Sequence, residues 1–169
     1  MGRLDSMLGL GQDHLSIYLN DHLAGATAGL HLARRATDRN RDTDYEPVLA
    51  AIAEELEQDR RALEHVMDRL AVGRDRARAA LGWGVEQASR LKLDGELLGY
   101  SPLKRLEELE ALSLGVAGKL ELWTALRVAC ASDPRLAEID FDELIERARS
   151  QRRQLEREHA RAAEEALRR

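Results

Sequence analysis

The pattern of apolar positions along the chain is helical from end to end. Over residues 15–36, Leu15, Leu19, Leu23 and Leu30 form one stripe at helical spacing, and His22, Gly25, Ala26, Gly29, Ala33 and Ala36 form a second stripe beside it. At about 100° per residue the two stripes cover more than a third of a helix surface. This predicts a helix over residues 13–37 with two buried faces. Two glycines inside a helix cost about 1 kcal/mol each relative to alanine. Close approach of a neighbouring helix backbone would offset that cost.

Polar turn formers in DRNRDTDYEP predict a loop. Asp44 is then the expected cap of a second helix, with Pro47 in its first turn. Leu49, Ile52, Leu56, Leu63, Met67 and Leu70 keep one face apolar to about Ala71, and Gly73 is the expected stop. A third helix is predicted over residues 74–93 from Ala77, Leu81, Val85, Ala88 and Leu91, with Gly82 and Gly84 flanking Trp83. The string LDGELLGYSP breaks the pattern. Ser101 as cap and Pro102 in the first turn start a fourth helix that runs to about Ala131 and is apolar on most sides. Asp133-Pro134 opens a short helical turn. Asp140 caps a final helix whose apolar stripe (Leu144, Ala148, Leu155, Ala162, Ala166) is thin, with Ile139 stapling onto Leu144. No period-two alternation is present, so the fold class is all-α.

The expected organisation is a single helical domain over 1–169, with an N-terminal segment (1–12), a four-helix core (13–131) in antiparallel up-down order and an additional C-terminal helix (140–169). Composition narrows the function classes. The formal charge of −5 and pI near 5.6 argue against nucleic-acid binding. No segment has membrane-spanning length. A single cysteine, Cys130, excludes an internal disulfide and a cysteine-based zinc site, which suits the cytoplasm. Neither a glycine-rich phosphate loop after a strand nor a histidine placed to activate a serine is present, so catalysis is not expected.

Candidate chemistry rests on polar groups that fall on apolar faces. If the first two helices form a hairpin about residue 41, His22 lies level with residues 59–61, so His22 and Asp59 meet. The same level reaches Glu110 on the fourth helix, and Glu55 lies one turn from Asp59. Imidazole and carboxylates from facing helices suit iron, manganese or zinc, so His22, Glu55, Asp59 and Glu110 are the candidate metal ligands. The competing reading is a hydrogen-bond network in which the histidine and acids satisfy one another and arginines such as Arg60, with nothing bound. Tyr18, Gly25, Gly29 and Trp123 bound a further candidate, a small-molecule pocket between helices. His14, His31 and His65 are expected at the surface, and His159 at a packing contact.

The helix lengths, antiparallel order and acids on core faces resemble the ferritin-like superfamily of four-helix bundles. The strings YLNDHLAGATAG and SPLKRLEELEALSLGVAGK are also similar to an uncharacterised bacterial family of small helical proteins. The resemblance implies a bundle over about 13–131. It departs from the active di-iron members, which carry Glu-x-x-His on two helices. Here the only Glu-x-x-His is Glu156–His159, on the last helix. The expected function is therefore a non-catalytic bundle that acts through protein contacts as a homodimer, with metal binding as the alternative.

Overall fold

A computed structural model describes residues 4–74 and 100–168, with residues 4–13 described by their backbone only. Every regular element among them is helical. Helix α1 spans Leu4–Arg39, α2 Glu46–Arg69, α3 Pro102–Ala129 and α4 Phe141–Leu167, with a 3-10 turn at Pro134–Leu136 before α4. The third helix expected over 74–93, with Gly82, Trp83 and Gly84, falls almost wholly outside the described residues.

The helix starts follow local chemistry. Ser101 accepts a hydrogen bond from the Lys104 N–H at 3.3 Å, Asp133 from Arg135 at 3.0 Å and Asp140 from Glu143 at 2.9 Å. These are the expected caps. Asp44 is an exception: Tyr45 stands at the α2 cap position without a side-chain cap bond, while Asp44 pairs with Arg161 of α4 at 2.9 Å. The stop of α2 also differs from expectation. Val72 N–H reaches Met67 O and Ala71 N–H reaches Asp68 O, the paired bonds of a Schellman motif. The left-handed residue is Ala71, at φ 57°, and not Gly73. At the other end of the chain, α1 begins at Leu4 and absorbs most of the segment expected to precede it.

Helix α1 packs along α2 and α3 along α4; α1 also meets α3, and α2 meets α4 and the 3-10 turn. The C-terminal helix is thus part of the core and not an addition to it. Its Leu144, Ile145, Ala148, Leu155 and Ala162 are all buried. The apolar interior falls into two clusters. One contains Tyr45, Leu49, Leu56, Leu109, Val116 and Leu155, the other Leu19, Leu63, Leu122, Trp123, Ile145 and Ala148. On each of α2, α3 and α4 a polar residue of the inward face lies in sequence between the two sets: Asp59, Lys119 and Gln151.

Candidate functional site

Those three residues meet. Asp59 and Gln151 are buried, and the Lys119 side chain is almost so. The Lys119 ammonium donates to Asp59 Oδ2 and to Gln151 Oε1. Gln151 returns a bond from Nε2 to Asp59 Oδ2 at 3.0 Å, and Arg147 Nε donates to Asp59 Oδ1 at 2.8 Å. Both carboxylate oxygens are therefore taken by donors from α3 and α4. Helical spacing explains the convergence. Lys119 is three residues after Val116 and four before Trp123, and Gln151 is three after Ala148 and four before Leu155, so each lies within the core stripe of its helix. Burial pulls the Lys119 ammonium below its ordinary pKa, and the Asp59 charge opposes that shift. A buried pair of this kind adds little net stability against an apolar core, but losing one partner strands a charge.

The four residues expected to share a metal do not converge. Asp59 is spent on Lys119, Arg147 and Gln151. His22 makes no hydrogen bond to it and packs edge-on against Tyr18, with ring centroids 4.5 Å apart at 70°. The physical reason is competition: charged donors from α3 and α4 satisfy a buried carboxylate better than a neutral imidazole. Burial lowers the pKa of His22, partly offset by Asp21. Glu55 is half-buried, its Oε2 has no hydrogen-bond partner among the described residues, and its charge favours protonated Lys119. Glu110 faces outward and bonds His159 at 3.1 Å. Among the described residues no group of three or more His, Cys, Asp or Glu side chains is placed to hold a metal ion. The donor set therefore does not fit the expected centre. Arg60, expected to join the network, pairs with Glu64 instead.

A second polar network went unread in the sequence. Glu108, buried on α3, accepts from Arg39 at 2.6 Å and from the Tyr100 hydroxyl at 3.1 Å. Asn40, also buried, donates to Tyr100 at 2.7 Å and accepts from Arg105 Nε at 2.6 Å. Arg105 and Arg161 stack on the Tyr45 ring, 4.4 and 4.5 Å from its centroid, and the Tyr45 hydroxyl bonds Glu165. Burial and the adjacent Glu108 push the Tyr100 hydroxyl up to about 12, so it stays protonated as a donor. This network ties the end of α1 to α3 and α4. Its buried arginine-paired glutamate was legible only as one of many surface charges.

The candidate pocket does appear. A cavity of about 450 Å³ lies between α1 and α3, with Leu56, Asp59 and Leu63 of α2 in its lining. Tyr18, Gly25 and Gly29 border it on α1, and Gly115, Gly118 and Trp123 on α3. A Cβ built on any of the four glycines meets no atom within 4 Å among the described residues. The close helix approach expected at Gly25 and Gly29 is thus replaced, among these residues, by open space. Trp123 is wholly buried and its indole N–H has no acceptor there. No known protein family, curated protein or solved structure matches the chain. Function has to be argued from these residues alone.

Proposed function

We propose that the chain is a non-catalytic helical bundle of the cytoplasm that acts through protein contacts, first of all with a second copy of itself. The observation that carries this reading is on α3. Leu103, Leu114 and Val128 are 50 %, 55 % and 72 % exposed, and at about 100° per residue they fall within roughly 40° of one another. Glu110 and Glu121 lie between them on the same face, so the face is mixed, with large exposed apolar residues spaced among carboxylates. Two-fold pairing would set this face against its own copy, as isologous dimers do. The interior supports a non-catalytic role, since the buried carboxylates Asp59 and Glu108 are both engaged by cations.

The reading includes an antiparallel, ferritin-like order for the four helices. The α3–α4 pairs support it: Arg105 meets Glu165, Glu110 meets His159, Lys119 meets Gln151 and Arg127 meets Asp142, one number rising as the other falls. Sedimentation velocity tests the association. At tens of micromolar the chain should sediment as a dimer, and Leu114→Glu with Val128→Glu should return it to monomer with its helical content intact. A wild type that stays monomeric at that concentration rejects the proposal.

A further inference from the structure

The cavity between α1 and α3 has the size and lining of a site for a small molecule. Its volume, about 450 Å³, lies within the ~300–1,000 Å³ range of pockets that take such ligands. The four glycines keep the space open, because a Cβ at any of them points into volume free of described atoms. Tyr18 gives the lining aromatic surface, and the wholly buried Trp123 behind the lining carries an indole N–H without an acceptor among the described residues.

Charge sets the class of ligand. The cation in the lining, Lys119, is held by Asp59 and Gln151 and is not free to meet an anion. His22 is kept neutral by burial. Asp21, which also lines the cavity, is exposed and has no ion-pair partner among the described residues. Glu121, whose charge acts on the Tyr18 hydroxyl, has none either. The free charge at the Tyr18 end is therefore negative, while the interior is apolar and aromatic. We propose that this cavity binds a small amphiphile with an aromatic or aliphatic body and a protonated amine, the body between Gly29 and Trp123 and the amine towards Asp21 and Glu121.

Three probes of one shape test this on the full chain: naphthylmethylamine, naphthylmethanol and naphthylacetate, titrated by calorimetry. The amine should bind tightest and the acetate weakest, with about a tenfold span between them. Asp21→Asn with Glu121→Gln should bring the amine down to the level of the alcohol and leave the alcohol unchanged. Gly29→Leu and Gly115→Leu, made separately, should abolish binding of all three while the melting temperature holds or rises. The proposal is overturned if no probe binds the wild type, if the acetate binds best, or if the leucine variants still bind. It is overturned equally if both leucine variants melt well below the wild type, because the space is then already packed by the protein itself.

Discussion

The two sides of Asp59 are built on opposite principles. Towards α3 and α4 the carboxylate is closed in by Lys119, Arg147 and Gln151, and its hydrogen-bonding capacity is used within the protein. Towards α1 the same layer of the molecule opens into a cavity bordered by glycines, with His22 unbonded to the acid and Trp123 short of an acceptor. One side commits its polar groups to holding helices together; the other leaves volume and aromatic surface uncommitted. A buried charge is therefore a poor guide to a functional site when every partner it needs is supplied by the fold. Unfilled volume beside it is the better guide.

Substitutions on the closed side should be costly. Asp59→Ala leaves Lys119 and Arg147 without their shared anion, and urea unfolding should show a loss of about 3–5 kcal/mol. A loss under about 1 kcal/mol would mean that the cluster is open to water and that the two sides do not differ. Gln151→Leu removes an acceptor from Lys119 and a donor to Asp59 while preserving bulk, and should cost about 1–3 kcal/mol.

On the open side the effects should be small. Because the folded-state pKa of His22 lies below its unfolded value, the unfolded chain binds the extra proton first. The contribution of His22 is fully present above the ordinary histidine pKa of 6.5 and is lost as the pH falls from there through the lower folded-state value. Melting temperatures between pH 8 and pH 5 should drop less for His22→Gln than for the wild type; parallel curves would place the imidazole in water. Gly29→Leu should hold stability or raise it by up to about 1 kcal/mol, whereas a packed contact would lose about 1–3 kcal/mol.

Much of the frame was legible in the sequence because it depends on local chemistry. The α-helical period, the caps at Ser101, Asp133 and Asp140, and the burial of Asp59 all follow from residue type and spacing. Asp59's partners did not, since they come from helices distant in the chain. Counting outward from an assumed loop midpoint set His22 opposite Asp59, but long cationic side chains from α3 and α4 reach the acid first. The signal that would have found them was present. Lys119 interrupts Leu112, Val116, Trp123 and Leu126, and Gln151 interrupts Ala148 and Leu155, each at a core position. The thin stripe on α4 concealed this, because small alanines and one glutamine complete a buried face that looks too weak to pack. The glycines of α1 read as a helix contact because small residues serve close packing and open volume equally, and only coordinates separate the two.

The central claim, that Asp59 is consumed by pairing across the helices, is tested most directly by a double-mutant cycle between Asp59→Ala and Lys119→Met in urea unfolding. If the two groups satisfy each other, the double variant should be more stable than the sum of the single losses by about 0.5–3 kcal/mol. Losses that add within about 0.3 kcal/mol would show that the pair is not coupled, and would return Asp59 to the open side of the molecule as a group free to bind something else.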